Sequence, residues 1–539
     1  MHRAKSKFNK PLSHVYATNF HQTLDTLAHA HGKANQQDAT STKIDDALAA
    51  WQRVIAAHEP EQWTRRLNWD GLEQRTARLA VSDEQHIPAQ PPSWMATLDR
   101  IRAELGSVVD SAREFPVLPQ RNKPTVAFQE FWIPVTAWAL TQLKSSLDLS
   151  VTRHISPDAW DSMRRALLQR LSNISESVLF AIFNRERNFD AMMNAYLRIG
   201  DSASASLPTT IYDLFVKRNQ EDSLQAVLSE FPVLGRHLVT TIELWHATMA
   251  EFLSRLARDR ELLSRTYKVD STALVANLTL GLSDPHRGGR VVVIVHFVGN
   301  TKDAPLTKVV YKPKDMCLDD AYQRAIRALP LETGQAPLRI LKLVACQGYG
   351  YMEFVEHRPA KDDIELERFY INAGRLTAVL YILGCTDCHY ENLIADGDQL
   401  VLIDTETLFE AKLRNLVNDA AAQPQSRSEM QVRLSSSVTR SGLLPCWEFI
   451  GEAKQAIDVS ALGAESPIEA TQKKSGWIGI NSDGMMAGLI EQPSEVPGSL
   501  PYSVGKRNRF NEFLEPFCNE FHRTLLQFIQ HRTAWIEPD

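Results

Sequence analysis

The sequence predicts an α+β protein: a long helical N-terminal region, a small sheet lobe and a second helical lobe. Three observations carry that prediction. Apolar residues recur at three- and four-residue spacing through residues 41–270. A short β-branched run, Val291-Val292-Val293-Ile294-Val295-His296-Phe297-Val298, then breaks that pattern. Finally, an amphipathic stretch at 364–383 leads straight into a polar loop and a turn-closed hairpin.

Residues 1–40 are expected to be a flexible N-terminus. They begin Met-His-Arg-Ala-Lys-Ser-Lys and lack the apolar core of a secretory signal. Residues 41–270 are expected to form a helical region capping the core that follows. Phe128, Phe131, Trp132, Val135, Trp138 and Leu140 show the periodicity. Pro88, Pro91 and Pro92, and the stretch 116–124, punctuate it. Residues 233–264 read as one amphipathic helix through Leu234, Leu238, Ile242, Trp245, Met249, Phe252, Leu256 and Leu262.

The sheet lobe is expected over 271–360. Its strands are 291–298, 307–311, 338–344 and 350–356, with a helix at 318–329. The second lobe, 361–539, opens with the helix 364–383. Leu393-Ile394-Ala395 and Leu400-Val401-Leu402-Ile403 then pair around Asp396-Gly397-Asp398. Residues 412–475 are rich in Ser, Gln, Asn and Ala and read as a long, partly ordered insertion; 506–536 read as helical.

With 539 residues the chain can bury large cores without covalent staples. A net charge of −6 excludes a global basic field for nucleic acid or an anionic membrane. No apolar run approaches the roughly 20 residues that span a bilayer. Six cysteines do not make a disulfide framework in a chain this long, so a reducing cytoplasm is the expected setting.

Phosphoryl transfer needs a cation on the phosphates, oxygen ligands for Mg²⁺, a carboxylate for the attacking hydroxyl and a loop over the phosphates. Candidates for all four occur in kinase order. Lys312 ends a strand, and the turn-rich loop Ser283-Asp284-Pro285-His286-Arg287-Gly288-Gly289-Arg290 precedes another. Asp387-Cys388-His389-Tyr390-Glu391-Asn392 has the Asp-to-Asn spacing of a kinase catalytic loop. Asp404 follows at a strand end, with Glu406 on the same face of an extended chain. Asp387 is thereby expected to accept the hydroxyl proton, and Asn392 and Asp404 to hold Mg²⁺ beside ATP. No Glu lies in the helix 318–329, which leaves Asp319, Asp320 or Asp284 to pair with Lys312. Cys385-Thr386-Asp387-Cys388-His389 also matches a haem-attachment pattern, but that chemistry requires export. Zinc lacks a second ligand pair.

These residues resemble the N-terminal dehydratase domain of class II (LanM-type) lanthipeptide synthetases. Arg66-Leu67-Asn68-Trp69-Asp70-Gly71-Leu72, Phe231-Pro232-Val233-Leu234-Gly235-Arg236 and Ser283-Asp284-Pro285-His286 carry the likeness. So do Tyr311-Lys312-Pro313-Lys314, Tyr349-Gly350-Tyr351-Met352-Glu353-Phe354, Ser441-Gly442-Leu443-Leu444-Pro445 and, most specifically, 386–409. The resemblance implies a lipid-kinase-like bilobal fold. It implies ATP-dependent phosphorylation of Ser or Thr in a ribosomally made precursor peptide, then phosphate elimination to dehydroalanine or dehydrobutyrine. It assigns the active site to Lys312, Asp387, His389, Asn392, Asp404 and Glu406, with Asp284 and His286 as a further pair. The family's later Arg and Thr, which serve elimination, are not found, since His531-Arg532-Thr533 is no match. Its zinc cyclase is not found either, so a truncated or split form with a separate cyclase or C-terminal chain is the expectation. A small-molecule kinase of the aminoglycoside or choline type, and an inactive pseudokinase that binds a precursor peptide, stay open as alternatives.

Overall fold

A computed structural model describes residues 42–56, 60–69, 72–74, 77–78, 93–110, 126–187, 207–299, 306–333, 335–410, 437–450, 455–464, 467, 469 and 471–533. The expected flexible segment 1–40 and both proline-rich breaks lie outside these residues. The principal helices are α1 (Thr42–Ala56), α2 (Pro60–Trp69), α3 (Trp94–Asp110), α4 (Gln129–Ser145), α5 (Pro157–Glu186), α6 (Thr210–Glu221), α7 (Pro232–Arg258) and α8 (Arg260–Tyr267). Strands β1 (Leu274–Thr279), β2 (Val293–Val298) and β3 (Thr307–Lys312) follow, then α9 (Cys317–Arg327), β4 (Leu343–Cys346), β5 (Tyr349–Glu353) and α10 (Asp363–Ile382). The chain continues through β6 (Leu393–Asp396), β7 (Gln399–Leu402), β8 (Trp447–Ile450), β9 (Gln455–Asp458), β10 (Thr471–Ile478) and β11 (Met486–Pro493) to α11 (Leu514–Gln530). The architecture is α+β with small antiparallel sheets, as the sequence predicts. Among the described residues no helix is long and apolar enough to cross a membrane.

The chain divides into two compact units. The first comprises Met1–Ser146, Arg164–Ala247 and Gly479–Met486. Its core is aromatic: Phe183 packs on Phe215 with centroids 5.2 Å apart, and Phe128 on Tyr212 at 5.8 Å. Asp483 caps α6 from far along the chain, since its Oδ1 accepts the Ile211 and Tyr212 N–H groups, each at 2.8 Å. Those N–H groups have no partner inside the helix. Arg187 in turn donates to the Asp483 and Met485 carbonyls at 3.1 and 2.6 Å.

The second unit comprises Leu147–Met163, Thr248–Ile478 and Ala487–Asp539. Its main sheet runs β1-β2-β3-β5-β4, antiparallel throughout. Tyr311, Tyr349 and Tyr351 share one face with the last turns of α7. There Phe252 packs on Tyr311 at 4.9 Å, and Arg255 donates to the Tyr311 hydroxyl at 2.8 Å. The helix expected over 233–264 is interrupted at Asp259, whose buried carboxylate accepts the Tyr349 and Tyr351 hydroxyls at 2.6 and 3.0 Å. The backbone ladder nonetheless runs on through it, since the Asp259 N–H donates to the Arg255 carbonyl and the Leu263 N–H to the Asp259 carbonyl, each at 3.0 Å. The strand expected at 338–344 forms later, as β4.

Helices α10 and α11 pack along each other, and a Cβ at Gly374 would collide with the Phe517 backbone, so glycine sets their close approach. Asp362 opens α10, its Oδ1 accepting the Glu365 N–H at 2.8 Å. The hairpin at Asp396-Gly397-Asp398 is present, with Gly397 at φ +65°. The insertion expected over 412–475 is only partly described. Residues 411–436 lie outside the described set, but β8 pairs with β9, and β10 pairs with β11. These four strands lack the run of β-branched residues that marks β2 and β3.

Candidate active site

All of the site belongs to the second unit. The two-residue period of β3 places Lys312 on the face of Val310, opposite Tyr311. Val310 is buried with Met316, Leu341, Met352 and Val401, against which Ile394 and Ile403 pack. Lys312 therefore emerges at the end of β7, where its ammonium donates to the Ile403 carbonyl. Its acidic partner is Asp319 in the first turn of α9, with Nζ to Oδ1 at 3.8 Å. Asp319 is only 2% exposed, with the Thr405 hydroxyl as its neutral neighbour. Burial pushes the Lys312 ammonium below the ordinary lysine range, against the pull of Asp319 and Asp404. Burial likewise pushes the Asp319 carboxyl up, against both lysines.

Lys314, which no motif singles out, makes the closest ionic contacts of this site. Its Nζ lies 2.7 Å from Asp404 Oδ1, 3.1 Å from Glu406 Oε1 and 4.0 Å from Asp319 Oδ2. Burial opposes its charge, but Asp319, Asp404 and Glu406 outweigh that, so the ammonium is held above the usual lysine range. Burial also opposes the charge on Asp404, while Lys312 and Lys314 overcome it and hold the carboxyl below its usual range. The available signal was the matched period: Lys312 and Lys314 are two apart, as are Asp404 and Glu406.

A cavity of about 520 Å³ gathers Lys312, Lys314, Asp319, Asp404 and Glu406, together with Ser283, His286, Arg287 and Arg290 from the β1–β2 connection. That connection turns back sharply. His286 and Arg290 exchange N–H···O bonds at 2.9 and 2.8 Å, around Arg287, Gly288 and Gly289 at φ +43°, +84° and +92°. Arg290 Nε donates to Glu251 Oε2 at 2.8 Å, tying the turn to α7. Asp284 is exposed and is not among the lining residues.

The second cluster is the loop after α10. His389 Nδ1 lies 3.1 Å from Asp387 Oδ1, and its Nε2 lies 3.3 Å from Glu391 Oε2. Asn392 Nδ2 reaches the Asp387 carbonyl and carboxylate. The loop is fixed beneath: Cys385 and Cys388, both fully buried, are joined as a disulfide, and the Asp387 N–H donates to Thr407 Oγ1 at 3.2 Å. The bond departs from the reduced state that the cysteine count predicts, because the count says nothing of two cysteines held side by side in one loop. The two clusters meet through backbone. Ile403, whose carbonyl receives Lys312, donates its N–H to the Asn392 carbonyl at 3.0 Å.

Mg²⁺ with a nucleotide fits this donor set. Asp404, Glu406 and Asn392 offer hard oxygens, and Mg²⁺ is ordinarily held by one or two carboxylates plus substrate phosphates. The cationic lining of the cavity suits a polyphosphate accompanied by a metal. Among the described residues no group of three or more His, Cys, Asp or Glu side chains forms a metal centre by itself.

A profile of the family described as "Domain of unknown function (DUF4135)" matches residues 231–539, which include both clusters. The lacticin 481/lactococcin biosynthesis protein of Lactococcus lactis subsp. lactis is 21% identical over 285 residues. That stretch is 51% of this chain and 28% of that protein, so the match spans under a third of the relative's length. Both findings support the resemblance to LanM-type lanthipeptide synthetases.

Proposed function

The chain belongs to the DUF4135 family, and on that premise we propose that it phosphorylates Ser or Thr of a lanthipeptide precursor with Mg-ATP. The sheet of β1–β5 and the helical pair α10 and α11 serve as the two lobes of a lipid-kinase-like core. The observation that carries the reading is the gathering of Lys312, Asp319, Asp404, Glu406 and the β1–β2 turn around one cavity, backed by the Asp387–Asn392 loop.

Asp387 accepts the proton of the attacking hydroxyl as the new O–P bond forms and the bond to the ADP oxygen breaks. His389 and Asn392 hold the Asp387 carboxylate in one orientation. Lys312 neutralises phosphate oxygens at the cavity floor, while His286 and the Arg287–Arg290 turn cover them. Asp284, at the base of that turn, serves the peptide side. Asp404 and Asn392 hold Mg²⁺, with Glu406 beside them. Bound there, Mg²⁺ supplies charge neutralisation across the phosphates. Elimination to dehydroalanine or dehydrobutyrine is the second half of the proposal.

Incubation with Mg-ATP and a Ser/Thr/Cys-rich precursor peptide tests it by mass spectrometry. Gain of one phosphate per modified residue is expected, and net loss of water if elimination follows. An unchanged peptide mass, or full activity in Asp387→Asn, would overturn the assignment.

A further inference from the structure

Lys314 stands where a metal ion is expected to stand. Its ammonium lies between the Asp404 and Glu406 carboxylates, at 2.7 and 3.1 Å, and faces Asp319 at 4.0 Å. A lysine just beyond the end of a strand is ordinarily a solvated residue, whereas this side chain is only 17% exposed. Asp319 is 2% exposed, so the site holds a buried carboxyl group that Lys312 and Lys314 face only from 3.8 and 4.0 Å. An ammonium is a compact point charge with three donors, on a flexible four-carbon stem. It can neutralise two carboxylates and then swing away.

We propose that Lys314 is a built-in counter-cation of Asp404 and Glu406, so that divalent metal enters the site together with a nucleotide's phosphates and not before them. The inference rests on the Mg-ATP reading and adds an order of binding to it. Without phosphate, a divalent ion must displace an ammonium from its own ligands, and both are positive. Mg²⁺ also gives up its water reluctantly and favours sites completed by phosphate oxygens. Phosphates entering the cavity reverse the balance. They bring the metal's remaining ligands, and they offer Lys314 a new anion inside the cavity it already lines. The ammonium then passes from carboxylate to phosphate as the metal takes its place. Lys312 cannot make this exchange, because Ile403 and Asp319 anchor its ammonium on the cavity floor.

The test is Mn²⁺ binding to the full chain without nucleotide or peptide, followed by electron paramagnetic resonance. Wild type is expected to bind Mn²⁺ only weakly, and Lys314→Met at least tenfold more tightly. Lys314→Arg, which keeps the cation, should stay within about twofold of wild type. Equal affinities in wild type and a folded Lys314→Met overturn the proposal. So does tight stoichiometric Mn²⁺ binding by nucleotide-free wild type that Asp404→Asn abolishes, a result that needs no Lys314 variant. A parallel titration of wild type with a non-hydrolysable Mg-ATP analogue separates the two ideas. No analogue binding defeats the nucleotide reading, whereas analogue binding with unchanged Mn²⁺ affinity in Lys314→Met defeats the Lys314 exchange alone.

Discussion

Asn392 Nδ2 donates to Asp387 twice, to its backbone carbonyl at 2.8 Å and to its carboxylate Oδ2 at 3.1 Å. The same nitrogen sits 3.2 Å from His389 Nδ1, which itself lies 3.1 Å from Asp387 Oδ1. One amide thus fixes both the turn of the loop and the direction of its carboxylate. The Asp-to-Asn spacing is what lets a single side chain reach back over five residues.

Asn392→Ala removes both bonds and frees the Asp387 side chain. Peptide phosphorylation is expected to fall about 100-fold, the scale of a misplaced catalytic group. Initial rates of phosphopeptide formation check this. Circular dichroism should show the fold unchanged, because the loop backbone remains tied by the cysteine pair and Thr407.

Lys312→Met strands the buried Asp319 carboxylate without its near partner on the cavity floor. A loss of about 3–5 kcal/mol is expected, the range for breaking one side of a buried pair. Lys312→Met combined with Asp319→Leu should recover most of it, since no unpaired charge is left. Urea unfolding of the two single variants and the double variant measures the coupling; simple additivity would contradict the pairing.

Asp404 is held below its usual range, so its charged form stabilises the folded chain. That contribution is complete above the unfolded pKa of about 4 and is lost as pH falls through the lower folded value. The gap in Tm between wild type and Asp404→Asn should therefore be flat from about pH 7 to 5 and shrink below about pH 4. A gap that widens in acid would reverse the sign of the Lys314 contact.

The four cysteines outside the pair are Cys317, Cys346, Cys446 and Cys518. Four thiols are expected in the unfolded, unreduced chain, and two more after reduction. Closing so short a loop should stabilise the fold by only about 2 kcal/mol. Cys388→Ala should lose a similar amount and make Tm insensitive to reductant; six thiols before reduction would refute the bond.

Much of this was legible because its signals are local. The β-branched run at 291–298, Lys312 ending its strand and Gly397 in a two-residue turn each announce an element within a few residues. The Asp387–Asn392 spacing belongs to the same class. What stayed hidden depends on neighbours distant in sequence. Asp319 is one of three acidic candidates for Lys312, and only the placement of the first turn of α9 beside the end of β3 selects it. Lys314 has no local mark of its role, because Asp404 and Glu406 come beside it only in the fold. The interruption of the periodic helix at Asp259, where two tyrosines of β5 donate to the carboxylate, has no mark in the local sequence. Cys385 and Cys388 bracket Asp387, but nothing in their count distinguishes a bonded pair from two core residues.

Asp483 also sets a schedule for synthesis. The Ile211 and Tyr212 N–H groups that it accepts leave the ribosome some 270 residues before it does. The residues between Ala247 and Gly479 take about 10–50 s to translate at ordinary rates. Through that interval the first N–H groups of α6 have only water as a partner, and Arg187 lacks its carbonyls. The first unit closes only after most of the second has been made, so premature termination within the second unit damages both.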